Sequence, residues 1–124
     1  TVKTYINSNR RVYLCTRYRY NWCYTMDDLT AFQRDILFVV AGNDSPHGLA
    51  IKEALDEYYE EEINHGRLYP NLDDLVDMGL IEKGERDRRT NEYELTDRGV
   101  RELVARREFE DELVDEVLES QVEA

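Results

Sequence analysis

Two histidines, His47 and His65, stand in a chain of 124 residues with 28 acids, so the first chemistry to weigh is metal binding or acid–base catalysis. The spacing supports neither. No HExxH or comparable pair occurs, and in so acidic a chain a histidine near a glutamate is expected by chance. No Gly-rich phosphate loop, nucleophile elbow or interleaved Ser/His/Asp set appears. The sequence therefore reads as a non-enzyme, with no catalytic residue, metal ligand or cofactor. Arginine offers a more pointed chemistry. Arg67 follows Gly66, and Lys83, Arg86, Arg88 and Arg89 crowd a second short stretch. A guanidinium carries a planar fork of donors that fits a guanine edge or a phosphate.

Nucleic acid is an odd partner for a chain with a net charge of −12, so the distribution of charge matters. Residues 1–25 hold Lys3, Arg10, Arg11, Arg17 and Arg19 and no acid, which leaves 28 acids against 11 bases in residues 26–124, a net of −17 there. Within that acidic body, 83–91 has four bases against two acids, a local positive patch. Only Lys3, Lys52 and Lys83 are lysines. An acidic, lysine-poor surface suits a protein held in solution by concentrated salt, as in a halophilic archaeon; generic acidic solubility is the alternative. No run of about 18 apolar residues spans a membrane and no apolar leader opens the chain, so a cytoplasmic location is expected.

The elements that must position these arginines follow from periodicity. The length suits one domain. Thr30-Ala31-Phe32-Gln33 has the pattern of a capping box opening a helix, with Leu29, Phe32, Ile36, Leu37 and Val40 inward and Gly42 at its end. Phe38 and Val39 fall outside that stripe, which predicts burial against a second chain or a thicker core of its own. In Asn43–Gly48 a turn is expected, with Ser45 as N-cap and Pro46 first in a helix to Glu60 that buries Ile51, Ala54, Leu55 and Tyr58. Next, Leu68, Leu72, Leu75 and Val76 mark one face of a third helix, capped by Asn64 and stopped by Gly79; Pro70 predicts a start or a kink near itself. Residues Leu80–Arg86 and Asn91–Leu95 read as two strands with Asp87–Thr90 as their turn, and Thr96 caps a last helix.

Helix, strand, basic turn, strand is the order of a winged helix-turn-helix. The fold expected is mainly α, with a small β-hairpin wing and a long C-terminal helix. If Leu68 and Leu72 face the core, the outer side of the third helix presents Gly66, Pro70, Asp73 and Asp77. Only its first turn can then approach DNA closely, with Gly66 leaving room and Arg67 reaching base edges. An ion pair from Arg67 to a nearby aspartate is the competing reading. In the last helix Val100, Leu103 and Val104, then Phe109, Leu113, Val114, Val117 and Leu118 outreach a small core, so its distal half is expected to pair with a second copy; a frayed tail is the alternative. The division expected is a basic aromatic extension over 1–25, a DNA-binding domain over 26–96 and a dimerisation helix over 97–124.

Taken in order, His47-Gly48, Gly66–Leu72, Gly79-Leu80-Ile81, Arg88–Tyr93 and Leu95–Gly99 resemble the PadR-like winged-helix transcriptional regulators, over roughly residues 29–107. With the acidic composition, the chain looks like a haloarchaeal member. The resemblance implies a homodimer, joined by the C-terminal helix and often the partner's first helix, bound to double-stranded operator DNA. Carried over by position, His65, Arg67, Tyr69 and Asn71 would face DNA from the third helix, and Arg88, Arg89 and Asn91 from the wing, beside Lys83 and Arg86. Inorganic cations could bridge the acids to phosphate. A winged-helix module used only for protein contacts is the other class.

Residues 1–25 hold both cysteines, Cys15 and Cys23, the one tryptophan and five of the nine tyrosines. Around 11–18 the alternation is weakly strand-like. The stretch reads as upstream of a true start at Met26, or as a basic arm that tracks DNA. The two cysteines fit neither a structural disulfide nor a four-ligand zinc site. A chain beginning at Met26 has no thiol. It should bind the same DNA with unchanged affinity in a gel-shift; loss of binding would make the arm functional.

Overall fold

A computed structural model describes residues 2–6, 12–16 and 26–122. In the early part β1 (Val2–Ile6) and β2 (Val12–Thr16) pair antiparallel, in line with the alternation there; Cys23 and Trp22 lie outside the described residues. A 3-10 turn at Met26–Asp28 then leads into α1 (Ala31–Gly42), α2 (Gly48–Tyr59), α3 (His65–Asp77), β3 (Ile81–Asp87), β4 (Thr90–Leu95) and α4 (Asp97–Val122). Three helices, a two-stranded antiparallel hairpin and a long last helix make a winged helix-turn-helix.

The first helix starts as its capping box dictates. Thr30 Oγ1 accepts the Gln33 N–H at 3.2 Å, and Gln33 Oε1 accepts the Thr30 N–H at 3.1 Å. Leu29, Phe32, Ile36, Leu37 and Val40 are buried, while Phe38 and Val39 are half-buried and packed on the same core.

Three expectations for α2 need correction. Ser45 is not its N-cap, nor Pro46 its first residue. Ser45 adopts the left-handed region, at φ 42°, and the chain runs on extended, so that the Pro46 carbonyl accepts the Tyr93 N–H at 2.9 Å and His47 bridges to Glu92. The loop thus adds a third, single-residue rung to the wing, and α2 starts two residues later than a proline at the first helical position would set it. Tyr58 is not buried either: it is 71% exposed, and Tyr59 turns inward. The inward line follows i+4 steps, Ile51, Leu55 and Tyr59, because Tyr59 meets α1, donating its hydroxyl to Asp35 beside the Phe32 ring. At the same end Lys52, buried, binds Asp56 at 2.8 Å while Asp56 accepts the Ile63 N–H at 2.6 Å, which ties α2 to the turn before α3.

Helix α3 begins five residues ahead of Pro70. Asn64 Oδ1 accepts the Gly66 N–H at 2.7 Å and holds the first turn, so Pro70 sits inside the helix and costs the one bond its missing N–H would make to the Gly66 carbonyl. Leu68, Leu72 and Leu75 have no exposed surface. Each is worth about 1.5–3 kcal/mol in burial, which fixes the rotation of α3 about its axis. Gly79 ends the helix at φ 77°, a conformation open to glycine.

The wing joins α4 through a close backbone approach. Thr96 Oγ1 donates to the Gly79 carbonyl at 2.7 Å and accepts the Gly99 N–H at 2.9 Å, while the Thr96 N–H donates to Leu80 O at 3.1 Å. A methyl on Gly99 would stand 2.1 Å from that Leu80 oxygen, whereas one on Gly42 would meet nothing. Gly99→Ala should therefore lower stability by about 1–3 kcal/mol in urea unfolding, at the upper end because backbone must move, with Gly42→Ala a near-neutral control.

Candidate nucleic-acid interface

With its leucine face buried, α3 turns Gly66, Pro70, Asp73, Asp74 and Asp77 outward. The side chains of chemical interest lie on its two shoulders. On one, the His65 and Tyr69 rings stack nearly parallel, centroids 5.7 Å apart. Tyr69 lies over the start of α2 where residue 48 has no side chain: a Cβ at Gly48 would be 2.6 Å from the Tyr69 hydroxyl. On the other shoulder the Arg67 guanidinium sits 4.0 Å from the centroid of the Phe32 ring. The aspartate ion pair considered for Arg67 is not formed among the described residues; an aromatic face takes that place.

Asn71, expected to face DNA, makes its contacts here within the domain. Its Oδ1 accepts from Gln33 Nε2 at 3.1 Å and its Nδ2 donates to the Arg67 carbonyl at 2.7 Å. Both ends of the amide are used within the domain, because position 71 lies toward α1. Asn71 is a link between helices.

The wing is a tight hairpin. Strands run further than expected, to Asp87 and from Thr90, leaving Arg88-Arg89 as a two-residue turn, with a bulge between Glu85 and Asp87. Neither arginine adopts a positive φ, which such short hairpins usually need. Asp87 compensates: its Oδ1 accepts the Arg89 N–H at 2.8 Å, and its carboxyl is held below the ordinary aspartate range by that bond, then by those to Thr90 and the charge of Arg86. Arg86, Arg88, Arg89 and Asn91 are exposed at the tip, while Lys83 pairs with Asp73 on α3 at 3.8 Å. The opposite face of the hairpin is acidic, with Glu82, Glu92 and Glu94 around Gly84 and the Ser45 hydroxyl donating to Glu94.

Between these parts lies a cleft of about 260 Å³, lined by His47, Gly48 and Leu49 from the start of α2, Tyr69 from α3, and Arg89, Thr90, Asn91 and Tyr93 from the wing. His47 caps α2 without a side-chain bond, so the first-turn N–H groups and the positive end of the helix open where Arg89 stands. Gly48, Leu49 and Thr90 were not among the residues the sequence singled out for contact; the glycine beside His47 was the one available signal. No group of His, Cys, Asp and Glu suited to a metal ion occurs among the described residues, and no helix there is long and apolar enough to cross a membrane.

Residues 36–105 match the Transcriptional regulator PadR-like family. The chain belongs to that family. It is also similar to solved structures of RosR from the halophile H. salinarum: 52% identical to the complex hsRosR-S1 over 77% of this chain and 90% of that one, with a TM-score of 0.70, and 51% identical, over 77% and 91%, to RosR grown from NaBr, with a TM-score of 0.69. The family is one of transcriptional regulators, and the chain is not an enzyme. The zinc-responsive MarR family member ZitR of Lactococcus lactis shares the fold at 18% identity, over 87% of this chain and 72% of that one, with a TM-score of 0.60. No curated protein sequence matches significantly.

The Asp87 turn has a pH signature. A carboxyl whose folded pKa is depressed contributes fully above its unfolded value, and the contribution is lost as pH falls through the lower folded one. In an NMR titration the Arg89 amide shift should move with a midpoint below that of an ordinary aspartate. Asp87→Ala should abolish the titration and leave Arg89 at its low-pH position throughout.

Proposed function

We propose that the protein is a sequence-specific, DNA-binding transcriptional regulator that acts as a homodimer on a pseudo-palindromic operator in high salt. The observation that carries this reading is the cleft where the α2 N-terminus, Tyr69 of α3 and the arginine-tipped wing meet, with Arg67 exposed on the other shoulder of the same helix. A helix N-terminus beside an arginine suits a backbone phosphate, and the first turn of α3, narrow at Gly66, suits the major groove. His65, Gly66, Arg67 and Tyr69 are then the groove-side residues. Arg86, Arg88, Arg89 and Asn91 lie along the backbone, with Lys83 behind them. Asn71 acts indirectly, through Arg67.

Dimerisation is supported by α4. Its 26 residues extend about 39 Å, and Phe109, Leu113, Val114, Val117 and Leu118 are 43–64% exposed. So long an apolar stripe on a charged helix calls for a second helix. Phe38 and Val39, half-buried, would widen that contact from α1. A two-fold dimer places its half-sites about 10 bp apart, or a multiple of that.

Charge decides how such a protein meets DNA. Asp73, Asp74 and Asp77 flank the groove-side turn and would repel phosphate unless cations sit between, so binding takes up cations as well as releasing them. The affinity of wild type, Arg67→Ala, Arg88→Ala and Leu113→Glu/Val117→Glu should be titrated against KCl. Wild type should lose affinity far less steeply than its basic contacts imply and persist above molar salt. Arg67→Ala should cost about 1–3 kcal/mol mainly on the selected sequence, Arg88→Ala a similar amount on every sequence, and the double variant should be monomeric by light scattering and lose specific binding. Steep loss by a few hundred millimolar, or matching profiles for the two arginine variants, would refute the reading.

A further inference from the structure

The first turn of α1 lies against the recognition helix at the one arginine that the DNA-binding reading needs most. Phe32 is buried, with the Arg67 guanidinium centred 4.0 Å above its ring. A contact between the carbon centre of a guanidinium and a ring is not a hydrogen bond and leaves the guanidinium donors to a partner, and Arg67 remains exposed. The neighbouring residue holds the same arginine by its backbone. Gln33, 6% exposed, closes the capping box with its Oε1 and donates its Nε2 to Asn71 Oδ1 at 3.1 Å; Asn71 in turn donates to the Arg67 carbonyl at 2.7 Å. The side chain and the main chain of Arg67 are thus each tied to consecutive residues of another helix.

We propose that Phe32 and Gln33 are positioning residues that pre-set Arg67 for reading a base, so that the first turn of α1 governs sequence discrimination. An arginine already held on a ring loses less rotamer freedom on binding than one loose in solvent. The inference rests on the DNA-binding reading and deepens it, and one arm of its test needs no DNA. Discrimination is expected to respond to residues 32 and 33 while general affinity, supplied by the wing and the helix ends, does not.

The test uses the full chain in two arms. In the first, backbone and arginine Nε relaxation is measured by NMR without DNA. Arg67 should be more ordered than Arg88 in wild type and in Phe32→Tyr, which keeps the aromatic face, and as mobile as Arg88 in Phe32→Leu. In the second, binding is measured to a duplex selected by the wild type from a random pool and to an unrelated duplex. Phe32→Leu and Gln33→Glu, the latter retaining the acceptor for the Thr30 cap but not the donor to Asn71, should each lower discrimination roughly two- to fivefold, the scale of a cation–π contact. Phe32→Tyr should preserve it, and neither change should cost anything further in an Arg67→Ala background. An Arg67 as mobile as Arg88 in wild type overturns the proposal whether or not DNA is bound. So do equal losses on both duplexes, or a loss that persists without Arg67, because a merely structural role would produce those. Melting by circular dichroism confirms that each variant is folded, and Gln33→Glu, which removes no core volume, keeps the binding arm decisive if Phe32→Leu is not.

Discussion

The rotation of α3 about its own axis is the constraint on which the rest of the structure depends. Leu68, Leu72 and Leu75 are wholly buried, and turning any of them out costs more than a surface contact returns. That setting puts the three aspartates outward, Tyr69 toward α2 and the wing, and Arg67 and Asn71 toward α1. Each shoulder is then fitted by a neighbour: a missing side chain at Gly48 receives the Tyr69 ring, and the Phe32 ring receives Arg67. The candidate interface is built by packing, one step behind the surface.

The wing is held to this body at its middle and at its base. Near its middle, Tyr93 is buried and its N–H reaches the Pro46 carbonyl, so the α1–α2 loop is part of the sheet. At its base Thr96 and Gly99 interlock with Gly79 and Leu80. The two-residue tip is free of such contacts and relies on Asp87 for its shape. A base tied to the body with a locally braced tip suits the DNA-contacting role proposed for the wing. Burial also pushes the Tyr93 phenol up, with Asp73 and Tyr69 adding to it, and lifts Tyr59 to about 12 beside Asp35; Tyr93 serves as a packing group and Tyr59 also as the donor to Asp35.

The charge pattern separates two tasks. Most of the acids lie on surfaces that keep a lysine-poor protein hydrated, and the composition agrees with a relationship to RosR of a halophile. Arginine is kept for sites where geometry matters: over Phe32, at the wing tip, and on α4, where Arg106 and Arg107 pair with Glu110 and Asp111 one turn on. Lysine, a compact charge on a flexible stem, is used at Lys52 inside the fold and at Lys83 under the wing.

Much of this was legible in the residues alone, where the cause is local. The Thr30–Gln33 capping box, the Asn64 and Thr96 caps, the left-handed Gly79, the leucine face of α3 and the basic turn of the wing are each written within a few positions, and together they specify the order of elements. What escaped depended on parts of the chain far apart. Pro46 looked like a helix start until Tyr93, 47 residues on, claimed its carbonyl. Tyr59 rather than Tyr58 turned inward because Asp35 and Phe32 lay across from it. Asn71 and Arg67 looked alike as polar residues of a recognition helix; only the approach of α1 made one a link and seated the other on a ring. A sequence states the periodicity of a helix, but which neighbour meets each shoulder is settled when the helices pack.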